Sequence, residues 1–263
     1  MTKMQEYGHI VFNKQIAEGI YWMSVNAPDI AAAANPGQFV HMCVHGKPSV
    51  QFLRMPFCIY DASADMNAVD ICYQVVGEGT EQLSKLVPGE FVDIIGPIGN
   101  GWNPPENTKY ALLVCGGVGA PALNLLGRAL AIGGAKVDAV MGAQTASKLA
   151  CQEHIESSVT PSGGTVHITT DDGSAGVHGF VTQVSDELIA SGAYDYVAVC
   201  GPLPMERNVV KAAFEHGVFC EVSMEKLMAC GVGACLGCTV ETKAGRKRCC
   251  VDGPVFDAAE VIW

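Results

Sequence analysis

From Tyr7 to Gly101 apolar and polar residues alternate in short runs, and beyond that point the alternation gives way to longer apolar blocks. The runs at 38–44, 50–53, 68–76 and 91–95 read as half-buried strands, bounded by the turn strings NPG, HGKP and VPGE. Several antiparallel strands at such spacing, with one helical stretch at 80–86, predict a closed barrel. The four alanines at 31–34 read as a loop or a helical turn.

The string GWNPPENTK at 101–109 marks a linker. After it, apolar strands at 111–115, 136–142, 166–170 and 196–200 alternate with helical stretches at 121–132, 147–156, 181–190 and 204–216. Strands apolar on both faces and separated by helices specify a doubly wound parallel sheet of the nucleotide-binding kind. The stretch 221–263 is too short for a core of its own and needs another source of stability. The expected fold is therefore a β barrel plus α/β: a barrel at 1–103, a parallel-sheet domain at 104–220 and a small module at 221–263.

Composition narrows the class. Hydrophobic residues make up 49% and charged residues 16% of 263 positions, as in a compact globular protein. A net charge of −11 with no basic run argues against a nucleic-acid partner. The apolar stretch 110–132 is interrupted by Gly116, Gly117, Gly119, Pro121 and Arg128, so it reads as strand, turn and helix rather than as a membrane span. The opening MTKMQEYGHI lacks the basic-then-apolar pattern of an export signal. Twelve cysteines in a chain expected to stay in the cytoplasm imply metal ligands or buried thiols.

In an open parallel sheet, ligands bind at the carboxyl ends of the strands. The strand ALLVC runs into GGVGAPAL, where Gly116, Gly117 and Gly119 let backbone amides approach a phosphate; such glycines also occur for packing alone. A second turn, Cys200-Gly201-Pro202, follows the last strand of the alternating pattern. Cys115 and Cys200 are either small buried hydrophobes or the lining of a nicotinamide pocket. Asp171 and Asp172 beside a ribose would repel the extra phosphate of NADP and favour NAD, although a solvated Asp-Gly turn explains them equally well.

The densest chemistry is near the end. Cys230, Cys235 and Cys238 have the C-x4-C-x2-C spacing of a plant-type 2Fe-2S site, with a fourth cysteine downstream in CCVDGPVF. Gly231, Gly233 and Gly237 sit between them, where the backbone must curl round a cluster. Structural zinc favours two short pairs, and disulfides favour an exported chain, so both fit less well. Adjacent cysteines on an extended chain point to opposite sides, so one of Cys249 and Cys250 is a bystander. The seven histidines fall in no catalytic pattern and read as ordinary surface or core residues.

Taken with LRMPFCI, GPIGNGW, CGGVGAPAL, TDDGSAG, CGPLPM and the CxDGPVF ending, the chain resembles the electron-transfer subunits of NAD-dependent (class 1B) dihydroorotate dehydrogenases, in the ferredoxin reductase superfamily. The resemblance covers nearly the whole length. It implies a flavin barrel, an NAD domain and a 2Fe-2S module in that order, with Cys250 as the fourth ligand and Cys249 outside the set. It places FAD against Pro56, Phe57 and Cys58, then Cys72 and Tyr73, then Gly79 and Thr80, with Thr80 capping a helix whose amides receive the pyrophosphate. NAD is placed at the turns of Gly116, Gly117 and Gly119 and of Cys200, Gly201 and Pro202.

This sequence departs from the family pattern at three positions. Met55 stands where the family has arginine, with Arg54 one residue earlier as the candidate substitute; Gln74 replaces a cation; and Cys58 replaces a serine. The resemblance further implies an FMN-containing catalytic partner that oxidises dihydroorotate, a two-plus-two heterotetramer, and no substrate base in this chain. Electrons would pass through the cluster and FAD to NAD, because flavin handles both single electrons and hydride. The flavin subunit of NADH-dependent ferredoxin:NADP oxidoreductases shares the layout, but that branch has aspartate at the first cluster position, so Cys230 favours the dihydroorotate branch. A non-enzymatic iron-sulfur or zinc-stabilised adaptor is the reading that Met55 and Gln74 keep open.

Overall fold

The computed structural model describes residues 3–44 and 53–263. His45, the HGKP turn and all but the last residue of the strand expected at 50–53 lie outside the described residues. Six strands close an antiparallel barrel: β1 (Met4–Ala17), β2 (Ile20–Asn26), β3 (Phe39–Val44), β4 (Met55–Ser63), β5 (Ala68–Gln74) and β6 (Phe91–Ile98), in the order β1-β2-β5-β4-β3-β6. The two-residue period fills its interior, with Met23 and Val25, Val40 and Met42, Val69 and Ile71, and Val92 and Ile94 all buried. Each such side chain contributes about 1.5–3 kcal/mol by leaving water. Helix α1 (Pro28–Ala33) follows β2 and takes up most of the alanine run; α2 (Glu78–Ser84) follows β5.

The second sheet contains β7 (Tyr110–Gly116), β8 (Lys136–Ala143), β9 (Val166–Thr170), β10 (Val177–His178), β11 (Tyr196–Cys200) and β12 (Phe219–Ser223). Helices α3 (Ala120–Ile132), α4 (Gln152–Val159), α5 (Val181–Ala190) and α6 (Leu203–Glu215) alternate with these strands. Strand order is β10-β9-β8-β7-β11-β12, all parallel, so the winding reverses between β7 and β11. That reversal opens a crevice at the ends of these two strands, where the two glycine turns lie.

Two expectations change here. The helix expected at 147–156 is broken: a 3-10 turn at Ala146–Lys148 precedes α4, and Cys151 between them has φ 65°, which a right-handed helix cannot continue. The module expected from residue 221 begins inside β12. It then runs through the hairpin β13 (Thr239–Thr242) and β14 (Gly245–Arg248) to β15 (Val255–Asp257), which pairs antiparallel with β12 as the seventh strand of the sheet.

The seam between barrel and sheet is tied by polar contacts. Asn124 donates to the Tyr60 carbonyl at 3.1 Å, Arg128 to Asp61 at 2.9 Å, and the linker's Trp102 indole to the Ala122 carbonyl at 2.8 Å. Asn103 of the linker donates its amide to buried Glu221 at 3.0 Å. Among the described residues no helix is long and apolar enough to cross a membrane.

Candidate functional site

A cavity of about 720 Å³ lies beneath the β4 and β5 strands. Its lining includes Met55, Pro56, Phe57, Cys58, Cys72, Tyr73, Gln74, Gly79 and Thr80, so the strand and turn positions expected to meet a flavin converge on one space. Phe57 and Tyr73 pack at 5.5 Å between ring centroids and give it an aromatic wall. Tyr73 is fixed from behind, its hydroxyl donating to Asn13 at 3.0 Å.

Arg54 does not belong to this lining. The residue next to it, Met55, enters β4 facing the cavity, so Arg54 projects elsewhere and is engaged by Asp93 of β6, donating to the Asp93 carboxylate and, at 2.9 Å, to its carbonyl. Its guanidinium is committed to an ion pair. The cation that the lining does contain is Lys226, just past β12, a position the motif comparison had no reason to single out.

Thr80 caps the helix, though from inside its first turn. Helix α2 starts at Glu78 with Gly77 as its cap, so Thr80 lies in the first turn and its hydroxyl reaches back, accepting from the amides of Val76 and Gly77 at 2.9 and 3.1 Å. Thr80 therefore caps the helix from its third position, as the far half of a capping box, and its bond to Val76 also shapes the loop leading in.

A second cavity of about 590 Å³ sits at the crevice between β7 and β11, lined by Gly116, Gly117, Gly119, Gly201, Pro202, Lys148, Asp171 and Asn208 among others. Packing accounts for part of its glycine content. A side chain at Gly119 would lie 2.2 Å from the Cys200 carbonyl, and one at Gly116 would meet Met205 at 2.6 Å, so the two turns interlock only without Cβ atoms. Gly117 differs: φ is 58° and the space beside it is open, leaving its backbone accessible from the cavity. Asp171 lines the cavity, whereas the Asp172 carboxylate turns back to Ser174, accepting from its amide at 3.0 Å.

Cys200 lines neither cavity. It is paired in register with Cys115, both are buried, and burial pushes both thiols far above their ordinary range, as for small apolar residues. Glu206 of α6, 2% exposed, accepts from the Gly201 amide at 3.1 Å; burial raises its pKa to about 8 despite that bond, with the Glu225 charge adding to the rise.

The two cavities adjoin. Gln74, Val118 and Glu225 line both, and the Ser223–Met228 stretch lines the first and leads directly into the cysteine loop. In that loop the thiols fall into two pairs: Cys238 and Cys250 with sulfurs 3.3 Å apart, and Cys230 and Cys235, where the Cys235 amide donates to the Cys230 sulfur at 3.4 Å. Two thiolates on one tetrahedral metal at about 2.3 Å sit roughly 3.8 Å apart, so the first pair is already near ligand spacing. Among the described residues no three acidic, histidine or cysteine side chains converge on a single-ion site, and the donor set fits a two-metal cluster better than one ion.

The loop is preset to receive thiolate. Burial alone would raise the Cys230 pKa, but the amides of Val232, Cys235 and Ala234, with the Cys235 thiol, bring it down to about 6. Gly231 and Gly233 have φ of 64° and 89°, and Leu236 adopts 61°. Arg248 ties the curl together, donating to the Gly233 carbonyl at 3.1 Å. Cys249 is fully buried among the apolar residues behind the loop, and its thiol is pushed up to about 12 by that burial.

Gly231 rests on the ring of His41, so that a Cβ there would lie 2.4 Å from Nδ1. His41 is 0% exposed and neither ring nitrogen has a hydrogen-bond partner; burial, then the nearby Arg54 charge, lowers its pKa to about 4. Its setting is thus not that of a satisfied core histidine. Only the juxtaposition of β3 with the loop reveals this, and no local sequence signal carries it.

Comparison with known proteins agrees with this geometry. Residues 225–262 match the iron-sulfur cluster binding domain of dihydroorotate dehydrogenase B. The chain is 39% identical to the dihydroorotate dehydrogenase B (NAD(+)) electron transfer subunit of Clostridium acetobutylicum, over 95% of this chain and 94% of that one. It is 36% identical to the subunit of the same name from Bacillus pumilus, over 97% of each. Among solved structures, the NADH-dependent reduced ferredoxin-NADP oxidoreductase aligns with a TM-score of 0.88 at 33% identity, covering 98% of this chain and 90% of that one. The ferredoxin reductase of carbazole 1,9a-dioxygenase, at 19% identity and a TM-score of 0.69 over 83% of this chain and 67% of its own, shares the fold. The chain therefore belongs to the family of dihydroorotate dehydrogenase B electron transfer subunits.

Proposed function

We propose that this chain carries electrons from an FMN-containing, dihydroorotate-oxidising partner through a 2Fe-2S cluster and FAD to NAD, in pyrimidine biosynthesis. The observation that carries the reading is continuity: the cysteine loop, the larger cavity and the crevice of the sheet follow one another through the shared lining of Ser223–Met228, Gln74, Val118 and Glu225. FAD, when bound, supplies the exchange between single-electron and hydride chemistry that neither cluster nor nicotinamide provides alone.

The chain's own residues hold and orient. Cys230 with Cys235, and Cys238 with Cys250, are the ligand pairs, and Cys249 packs behind them. Pro56, Phe57, Cys58, Cys72, Tyr73 and Gly79 form the flavin site, with Thr80 holding the loop at its edge. Lys226 takes the place of the cations missing at Met55 and Gln74. Gly116, Gly117, Gly119, Gly201 and Pro202 form the nucleotide site, and Asp171 disfavours a 2′-phosphate.

The partner docks over the loop. Leu227 is 94% and Leu236 63% exposed, with Val232 also open, and exposed apolar residues grouped beside a redox centre fit a surface that a second subunit covers. A two-plus-two assembly and a cytoplasmic location complete the proposal; the twelve free cysteines accord with a reducing compartment. The test is the visible spectrum of purified protein before and after NADH, then NAD reduction by dihydroorotate with and without the FMN partner. Flavin and cluster bands that bleach, with partner-dependent turnover, are expected. A colourless zinc protein would refute the reading, and reduction of NADP from ferredoxin without dihydroorotate turnover would move it to the oxidoreductase branch.

A further inference from the structure

Two thiols outside the cluster loop meet across the seam between barrel and sheet. Cys72 lies on β5, next to the aromatic Tyr73 of the flavin cavity; Cys151 lies immediately before α4, 79 positions later in the chain. Their sulfurs are 3.5 Å apart and share a hydrogen bond, and the side chains are 5% and 7% exposed. Tyr60 shares the same apolar cluster, and its buried hydroxyl has no hydrogen-bond partner.

Cys151 adopts φ 65°, a left-handed conformation that residues with a Cβ seldom occupy, at the end of a break that extended Leu149 opens before α4. Ordinary core packing asks for neither the backbone turn nor a sulfur opposite. The hydrogen bond between the two thiols holds the Cys151 thiol below its usual range against the opposing effect of burial, while Cys72 is pushed up by the same bond. The two sulfurs stand in contact, so that once one is oxidised the other is placed to resolve it.

We propose that Cys72 and Cys151 form a redox modification site, a dithiol that a peroxide closes to a disulfide and a dithiol reductant reopens. The Cys151 sulfur attacks one peroxide oxygen, the O–O bond breaks, and one water leaves behind a sulfenic acid. The Cys72 sulfur then attacks Cys151, the S–O bond breaks and the second water leaves. The two thiols together lose two electrons and two protons, and the peroxide takes up both to give two waters. Thiol–disulfide exchange with a small dithiol reverses the step.

The bond would join the barrel to the sheet where Glu18 and Ser147 already touch, the Glu18 amide donating to the Ser147 carbonyl at 2.8 Å and the Ser147 hydroxyl to the Glu18 carboxylate at 2.7 Å. It turns a seam of packing and hydrogen bonds into a covalent one beside the flavin cavity.

The experiment uses the full-length FAD-loaded protein, reduced with dithiothreitol, desalted without oxygen and treated with stoichiometric hydrogen peroxide. Non-reducing peptide mapping, with fragment ions to place the bond, is expected to show a Cys72–Cys151 linkage and the loss of two hydrogens from that pair. The melting temperature should rise by several degrees, since the closed loop is long, and both changes should reverse with dithiothreitol. Cys151→Ser should lose the linkage and the shift while retaining its flavin spectrum. Linkages confined to Cys230, Cys235, Cys238 and Cys250, or a Cys72–Cys151 pair left reduced after the peroxide is consumed, would overturn the proposal. The wild-type map decides this even if the variant fails to fold.

Discussion

In the parallel sheet every residue of 111–116 and 196–200 is buried, while along the loop 225–237 the only buried residue is Gly231. The sheet is specified by burial: apolar strands covered on both faces by helices, each residue fixed by its neighbours in register. The loop is specified by backbone conformation and by what its sulfurs face. Its left-handed positions at Gly231, Gly233 and Leu236, the Arg248 clamp and the two thiol pairs replace a core. Conservative apolar exchanges should therefore be absorbed in the sheet, whereas the loop should fail at single atoms.

The severest test of that contrast is removal of a ligand. Cys238→Ser or Cys250→Ser should abolish the cluster bands while leaving bound FAD and the circular dichroism of barrel and sheet nearly intact; a collapse of the whole chain would show that the loop supports the sheets. Next comes the docking surface. Val232→Asp with Leu236→Asp should weaken partner capture by about 2 kcal/mol or more, roughly thirtyfold, measured by titration calorimetry, with the isolated subunit's flavin spectrum unchanged.

Gly231→Ala meets both limits at once, a left-handed φ and a Cβ that would lie 2.4 Å from the His41 ring. A cost of about 1–3 kcal/mol is expected, confined to the loop and seen as faster bleaching of the cluster. Lys226→Ala should raise the FAD dissociation constant about tenfold, some 1.4 kcal/mol, read from flavin fluorescence. An Arg54→Ala variant with the larger effect would return that role to Arg54.

An effect confined to high pH sharpens the sheet side. Because the folded pKa of Glu206 is raised to about 8, the folded state keeps a proton that the unfolded chain has lost above its ordinary value near 4.5. Stability contributed by that proton is complete below about 4.5 and is lost progressively as pH rises through 8. Glu206→Gln should flatten this slope, melting above wild type at pH 9 and level with it at low pH. Melting curves across that range decide the matter.

Much of this architecture was legible in the chain because periodicity and cysteine spacing are local signals. The expected strands at 166–170 and 196–200 and the helix at 181–190 have the observed limits. What escaped was set by distant partners. Arg54 is claimed by Asp93, Cys200 faces the core instead of a cavity, and Cys151 bends away from helix toward Cys72. Lys226 and Glu225 enter the cavities only because β12 delivers the chain between barrel and sheet. A strand of three residues, β15, has no sequence signature strong enough to announce that it would complete the sheet.

That short strand bears on how the molecule is made. Until β15 arrives, β12 presents an unpaired edge, the kind of backbone to which a neighbouring nascent chain can add a strand. Its cover is synthesised only after the whole cysteine loop, and Pro254 beside it also bridges to Asn100 at the end of the barrel. Edge protection and enclosure of the loop are thus a single late event in biogenesis.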